Sequence, residues 1–327
     1  MIDIELLKIL ADGKFHSGTA LGSALGQSRS AVWKQMKTLE ECGVDVYSVR
    51  GRGYRLPKGL DLLNIDKILS LITAQAATYL EHIELATFTD STNLMALRNM
   101  HYQRNPALYL AEYQQAGRGR RGRKWMGTLA SNLYFSLLWR FSGGAAALEG
   151  LSLVVGVSVI EALSQLGIQG IGLKWPNDIL CRGKKLAGVL IEMQGDASGE
   201  VNVVIGVGIN VQMKQDSLAG QDIDQPWVDL ANIADRAIDR NKLLAMIISK
   251  LIANLLAFAQ NGFAVFEERW HKVHVYQDSL VRLQVGENEI EGICRGVNQQ
   301  GALVLERFGV LESYHGGEIS LRNITDD

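Results

Sequence analysis

An α+β protein in three successive parts is predicted by three features of the sequence. Residues 1–60 contain two short helical stretches joined by a glycine turn, then a basic hairpin pattern. The middle of the chain mixes strand-like runs with two strongly apolar helical stretches. Beyond Lys272, short strands alternate with glycines. The 327 residues exceed one ordinary core and suffice for two or three domains. With 47% hydrophobic and 21% charged residues, the chain reads as globular and not disordered.

The first part is drawn at 1–63. Asp3 is placed to cap a helix whose Leu6, Leu7 and Leu10 share one face. In "HSGTALGSALG", Ser17 is the next N-cap, Ala20, Leu21, Ala24 and Leu25 form a buried stripe, and Gly26 stops the helix. Ser28 then opens a second helix with Val32, Met36 and Leu39 inward. Ser28, Arg29, Ser30, Lys34, Gln35 and Lys37 are left for the outer face. "GVDVYSVRGRGYRL" follows as a hairpin with Arg50 and Arg52 at its tip. Two short helices and a basic wing form the pattern of a winged helix-turn-helix, with Ser28, Arg29, Ser30, Lys34, Arg50 and Arg52 as the DNA-facing residues. A small helical cap with a solvated charged face fits the same residues.

Around Pro57, "LPKGLDLLN" reads as a linker to the second part, 65–272. "HIELATF" and "ALYLAEY" are strands, and "LSLVVGVSVIEALSQLG" is apolar nearly all round, hence a buried helix. "IGLKWPNDIL", "KLAGVLIEM" and "VNVVIGVGINV" read as a meander of adjacent strands, and "RNKLLAMIISKLIANLLAFA" as an amphipathic helix. The third part, 273–323, has the composition of a small β-barrel.

Net charge is −2, which argues against a nucleic-acid-binding surface all round. Residues 1–60, however, carry nine Lys and Arg against six Asp and Glu, or +3, and the remainder 24 against 29, or −5. A basic appendage on an acidic body suggests two kinds of partner. Cys42, Cys181 and Cys294 are far apart in the sequence, so packed free thiols in a reducing cytoplasm are expected. "MIDIELLKIL" lacks a basic segment ahead of its apolar residues, so no secretory signal is expected. No apolar run is read as long enough to span a bilayer, so no membrane partner is expected.

Residues 117–125, GRGRRGRKW, place five cations within Arg118–Lys124 and match the spacing G-x-G-x-x-G. A dinucleotide turn would need a helix starting in the glycines and an acidic residue about twenty positions on. No helix pattern starts there, and no Asp or Glu lies between Trp125 and Leu148. That reading fails, and a phosphate-binding strap, a solvated basic turn and a nucleic-acid contact aided by Trp125 remain open. Its neighbours are DSTN (90–93) at a helix start, KWPNDIL with Asp178, GKKLAGVLIE with Lys185, and GVGIN ending at Asn210.

DSTN, EYQQAGRGRRGRKW, KWPNDI, KLAGVLIE and GVGIN, in this order, resemble biotin protein ligases. With the winged helix-turn-helix ahead of them and "GGEISLR" behind, the chain resembles the bifunctional form that is also a repressor of biotin biosynthesis. The resemblance implies a class II synthetase-like mixed α/β catalytic domain and an SH3-like C-terminal barrel. It implies a biotin–[acetyl-CoA-carboxylase] ligase that forms biotinyl-5′-AMP from biotin and ATP with Mg²⁺. Biotin then passes to a lysine of a biotin carboxyl carrier protein, and the adenylate acts as corepressor on operator DNA through a ligand-promoted homodimer.

By the same resemblance Ser91, Thr92, Asn93, Gln114, Arg118, Gly119, Arg120 and Lys185 hold biotin. Arg118, Arg120, Arg121, Lys185, Asn210, Trp227 and Arg322 meet ATP or the adenylate, with Trp227 as a lid over adenine and Arg322 reaching in from the barrel. Arg120, Lys185 and Asp178 are implied as the catalytic group, while the metal ligands are not indicated. A repressor that senses biotin without catalysis, and a lipoate-type adenylating ligase, fit much of the same pattern.

Overall fold

The structure is a computed structural model, and it describes residues 2–101, 105–195, 199–213, 220, 223, 225–315 and 319–323, with the side chains of 319, 320, 322 and 323 outside the description. The helix caps read from the sequence are in place. Asp3 accepts from the Glu5 N–H ahead of α1 (Ile4–Leu10), Ser17 from Ala20 ahead of α2 (Gly18–Leu25), and Ser28 from Ala31 ahead of α3 (Arg29–Glu41). Gly26 ends α2 in the left-handed region, at φ 61°. Two outward–inward assignments change. Ala20 and Ala24 are exposed, leaving Leu21 and Gly22 as the buried face of α2. Gln35 is buried, not outward: its Oε1 accepts from Asp3 N at 2.6 Å and its Nε2 donates to Gln27 Oε1 at 2.6 Å. An amide there ties the start of α1 to the α2–α3 turn, which an apolar residue could not do.

The wing is β1 (Tyr47–Val49) paired antiparallel with β2 (Gly53–Arg55), with His16 bridging to Tyr54. A Cβ at Gly53 would lie 2.0 Å from His16 O, so only glycine fits the crossing. Arg52 stacks over Phe15 at 4.2 Å.

Helices α4 (Ile65–Leu71) and α5 (Ala74–Tyr79) lead into a seven-stranded sheet. Its strands are β3 (His82–Thr89), β4 (Ala107–Gln114), β5 (Asn132–Phe141), β6 (Ile171–Lys174), β7 (Asp178–Cys181), β8 (Lys184–Gly195) and β9 (Val201–Asn210), in the order β3-β4-β5-β9-β8-β7-β6. Only β3 and β4, joined through α6 (Thr92–Asn99), run parallel; the expected meander β6 to β9 is antiparallel throughout. Strand alternation divides the sheet into two faces. Leu133, Phe135, Leu137 and Trp139 join Val203, Ile205 and Val207 in the main core under α7 (Leu151–Gln165). Leu138 and Val204 meet Met95 and Ala96 of α6 on the other face.

After α8 (Leu230–Ala234), the long α9 (Arg240–Asn261) packs beside α7. Contrary to the sequence expectation, Ala145–Gln165 and Arg240–Asn261 are long and apolar enough to cross a membrane. Yet 61% and 56% of those windows are buried in the fold, which marks them as core helices.

α10 (Glu267–His271) precedes the last sheet, whose strands β10 (Leu280–Val285), β11 (Asn288–Val297), β12 (Leu303–Arg307), β13 (Val310–Tyr314) and β14 (Ile319–Asn323) are all antiparallel, in the order β13-β12-β11-β10-β14. It shares the main core through Val281, Leu283, Cys294, Leu303 and Leu321. Trp175 Nε1 donates to Gly301 O at 3.1 Å across the junction.

The segment read as a linker is pinned. Arg240, fully buried, donates Nη2 to Glu112 Oε2 at 2.6 Å, Nη1 to Asn132 O at 2.8 Å and Nε to Asp61 O at 3.0 Å. The other Glu112 oxygen accepts from Leu63 N at 2.5 Å, and Asn241 Oδ1 accepts from Asn64 N at 2.7 Å. Chain positions 61–64 are thus welded to β4, β5 and the start of α9. Breaking one side of such a pair leaves an uncompensated buried charge. Glu112→Ala is expected to destabilise the body by about 3–5 kcal/mol in chemical denaturation. The paired apolar change Glu112→Leu with Arg240→Met should lose less; a single variant as stable as wild type would refute the role.

A second buried group makes the junction acid-sensitive. His274 stacks on Trp270 at 4.3 Å, with Cys294 Sγ 3.9 Å from its Nε2. Burial pulls this imidazole from 6.5 down to about 4. The unfolded chain therefore takes up the proton at a higher pH than the folded one. Stability is full above pH 6.5 and declines as pH falls from 6.5 towards 4. His274→Gln is expected to flatten that decline in melting temperature across this window, and parallel curves for the two proteins would discount it.

Candidate active site

One cleft of about 1030 Å³ opens on the α6 face of the seven-stranded sheet. Ser91, Thr92, Asn93, Gln114, Arg118, Gly119, Arg120, Arg121, Asp178 and Lys185 all line it. Residues far apart in the chain are therefore brought to one place.

Its floor is made by glycines. A Cβ at Gly206 would meet Asn93 Oδ1 at 2.0 Å, and one at Gly208 would meet the Trp125 ring at 2.6 Å. At Gly188 it would stand 3.0 Å from the same ring. These positions alternate with core residues on β8 and β9, so bare backbone on the cleft side lets Asn93 and Trp125 lie flat on the sheet. The small residues of GVGIN thus admit two side chains of the protein itself.

Polar groups at the start of α6 are locked together. Ser91 occupies the N-cap position, yet its side chain makes no cap hydrogen bond. Thr92 N donates to Gln114 Oε1 at 2.9 Å, and the buried Ser136 hydroxyl lies 2.7 Å from Thr92 Oγ1 and 2.6 Å from Asn93 Oδ1. Asn93 Nδ2 donates to Glu192 Oε2 at 2.8 Å, and the other Glu192 oxygen holds Arg118 at 2.9 Å. Ser136 and Glu192 were not singled out in the sequence. Both lie in largely apolar strands, and a polar residue out of phase with the core-facing ones, Leu133, Phe135 and Leu137 on β5 and Ala187, Val189 and Ile191 on β8, is the signal that finds them.

The arginine strap is a narrow hairpin. Arg118 bridges Lys124, Gly119 N donates to Arg123 O, and Arg121 and Gly122 turn at φ 58° and 71°. Gly117 allows the crossing, since a Cβ would lie 2.4 Å from Trp125 O. Arg120 reaches inward, donating to Asn177 Oδ1 at 3.1 Å. Burial lowers its guanidinium from the usual value, and the nearby Asp178 carboxylate acts in the opposite direction.

Lys185 faces the strap because of a bulge. Ala187, Val189 and Ile191 point into the core beneath α7, and unbroken alternation would send Lys185 there too. The pairing of β7 and β8 slips between Ile179 and Leu180, so that Leu180 opposes Lys185 and Ile179 opposes Ala187. The extra residue, Leu186, enters the core, and Lys185 is turned to the cleft. There Nζ lies 2.8 Å from Asp178 Oδ1 and 5.5 Å from the Trp125 ring.

Two expected contacts stand away from the cleft surface, and a third is outside the described side chains. Asn210 is buried behind the wall, its amide 3.4 Å from Lys185 O and 3.3 Å from Val228 O. Trp227 bridges Lys185 through the backbone, and its buried indole donates to Gly220 O at 3.2 Å, so it lies off the cleft surface that a lid would occupy. Arg322, on β14, is the register partner of Arg282 on β10, and its side chain lies outside the described residues. The barrel lends Leu321 to the cleft wall, and Tyr276, just before it, lines the cleft too. Part of the segment between Asn210 and Trp227 also lies outside the description.

Across the cleft wall, nine cationic residues face a single carboxylate, Asp178, among the described residues. No group of three or more His, Cys, Asp or Glu suited to a metal occurs among them. At the other end of the chain, Ser28, Arg29, Ser30, Lys34, Arg50 and Arg52 are all exposed on one small unit, as expected.

Comparison with known proteins agrees with this arrangement. Residues 85–210 match the biotin/lipoate A/B protein ligase family, residues 4–55 an HTH domain, and residues 280–322 the biotin protein ligase C-terminal domain. The chain is 42% identical to the bifunctional ligase/repressor BirA of Escherichia coli and 44% identical to that of Salmonella typhimurium, each over 98% of both chains. The solved biotin protein ligase from Aquifex aeolicus, in complex with biotin and ATP, superposes with a TM-score of 0.64 at 29% identity. It covers 74% of this chain and 99% of its own. With its HTH unit, its cation-lined cleft and its C-terminal sheet, the chain belongs to the bifunctional biotin ligase/repressor family.

Proposed function

We propose that the cleft joins biotin to ATP and that the loaded protein represses transcription. A biotin carboxylate oxygen attacks the α-phosphorus, the α–β P–O bond breaks, and pyrophosphate leaves. A lysine amine of a biotin carboxyl carrier protein, that of acetyl-CoA carboxylase by family likeness, then attacks the acyl carbon and AMP departs. The observation that carries this reading is the convergence of Arg118, Arg120 and Lys185 on one cleft whose inner end is a neutral hydrogen-bonding network.

Each part has a task. Ser91, Thr92, Asn93 and Gln114 present hydroxyl and amide groups suited to a ureido ring. Arg118, Gly119 and the rest of the strap close over the carboxylate and exclude water from the reactive anhydride. Arg120 and Lys185 offset the repulsion between carboxylate and α-phosphate and stabilise charge on the transferring group. Asp178 aims the Lys185 ammonium, and Asn210 steadies the backbone carrying it. Arg121 stands on the phosphate side, whereas Trp227 serves as a wall post. A Mg²⁺ fits this donor set only together with phosphate oxygens, Asp178 being the one described carboxylate on the wall; it would neutralise phosphate charge. The free thiols of Cys42, Cys181 and Cys294 suit a cytoplasmic setting.

Regulation follows the chain. From Trp125 the strap runs directly to Leu129, whose N–H donates to Cys42 O at the end of α3 at 3.1 Å. Gly43, at φ 80°, lies against Thr128. Ordering the strap around the adenylate therefore acts on both the surface beside it and the DNA-reading unit, so that ligand, self-association and operator binding are linked.

Lys185→Ala is expected to lower pyrophosphate release from ATP and biotin by about 10²–10³-fold, while ligand-free affinity for DNA stays as in wild type. Full turnover in the variant would remove Lys185 from the chemistry. By sedimentation, the adenylate is expected to tighten self-association by about 5–150-fold; equal constants with and without it would end the regulatory reading.

A further inference from the structure

Resting on the operator-binding reading of residues 4–55, we propose that Trp33 reads DNA sequence by placing its indole against the C5-methyl group of a thymine in the major groove. At about 100° per residue along α3, Val32, Gln35, Met36 and Leu39 share the buried side. Trp33 stands about 110° round from the centre of that side, between Arg29 and Lys37, with Ser30 and Lys34 further round on the exposed face. Trp33 is 51% exposed, whereas Trp139, Trp175, Trp227 and Trp270 are buried and Trp125 is half-buried in the cleft. A large apolar ring held half in water among polar and cationic neighbours on a recognition-type helix contributes little to folding. Its position, the fifth residue of the helix, is in the N-terminal stretch where a recognition helix meets base edges.

The neighbours divide the work. Arg29, Lys34 and, on the wing, Arg50 and Arg52 carry charge suited to phosphates, which fix register without reading sequence. Ser28 is engaged as the helix cap, and its hydroxyl lies 2.9 Å from that of Ser30, so both short hydroxyls are tied to local structure. The indole then offers the surface for base recognition. It has one N–H donor and no acceptor, so it cannot form the two-donor contact to guanine or the donor–acceptor pair to adenine. An apolar face meeting the thymine methyl is what remains.

The test uses the full-length protein with biotin and ATP. Duplexes are selected from a random-sequence pool by wild type and by Trp33→Ala, whose fold is checked by melting. In the wild-type consensus each thymine is then replaced by deoxyuridine, which removes only the methyl group. At one thymine per half-site, wild type is expected to lose about fourfold in affinity, the value of one buried methyl. Trp33→Ala should bind both duplexes equally and lose its thymine preference at that position in selection. Its affinity for non-specific DNA and its salt dependence should match wild type, because no phosphate contact is removed. The assignment is overturned if Trp33→Ala selects the same consensus with unchanged affinity, or if no deoxyuridine weakens wild type. A loss equal on consensus and non-specific DNA overturns it too. Wild type selecting no sequence at all would instead defeat the operator reading, and this assignment with it.

Discussion

Crowded positive charge is the constraint around which this molecule is arranged. Joining a carboxylate to a nucleotide phosphate requires cations on both, yet nine cationic residues around one cleft repel one another when no anion is there. The fold answers with two carboxylates used as anchors. Asp178 holds Lys185, and Glu192 holds Arg118, each at 2.8–2.9 Å. Both anchors are on strands, so the geometry of the charges is set by the sheet. The strap itself is a hairpin whose glycines at 117, 119 and 122 let it fold back on Trp125.

The same sheet shows why part of the site was legible in the sequence and part was not. Local chemistry was readable: Asp3, Ser17 and Ser28 cap the helices expected, Gly26 ends one, and the β6–β9 meander follows the alternation of its apolar residues. The ordered motifs pointed to one cleft because glycine, arginine and amide groups at strand ends have few structural uses. Lys185 was named without its orientation being derivable. A count of alternate residues from Ala187 sends it into the core, and only the slip beside Leu180 brings it out. The place of the Trp227 ring was not derivable for a similar reason, because its backbone partner and the Gly220 carbonyl hold it where no motif records.

Long-range polar contacts were the least visible class. Nothing near Pro57 announces that the next residues are gripped by an arginine 179 positions away, or that Glu112 in an apolar strand exists to receive both Leu63 N and Arg240. Gln35 was assigned to the outer face because glutamine is normally solvated. It is buried because two neighbouring polar groups, the Asp3 N–H at the start of a helix and the Gln27 amide oxygen, offer it partners. In each case the pairing satisfies a buried backbone group, and that demand arises only once the tertiary fold exists.

These pins also bear on how ligation and repression share one chain. If segment 61–64 were a free tether, loading the cleft would be felt by the DNA-reading unit only through local concentration. Instead the unit meets the body at two separate places: the welded segment, held by Glu112 and Arg240, and the Leu129–Cys42 contact that continues from the strap. The first is built on a fully buried ion pair and is independent of the ligand-facing residues. The second lies within five residues of the strap's closing tryptophan. The DNA-reading unit is therefore attached to the ligase body both at a fixed buried junction and, from the end of α3, at a contact continuous in sequence with the strap.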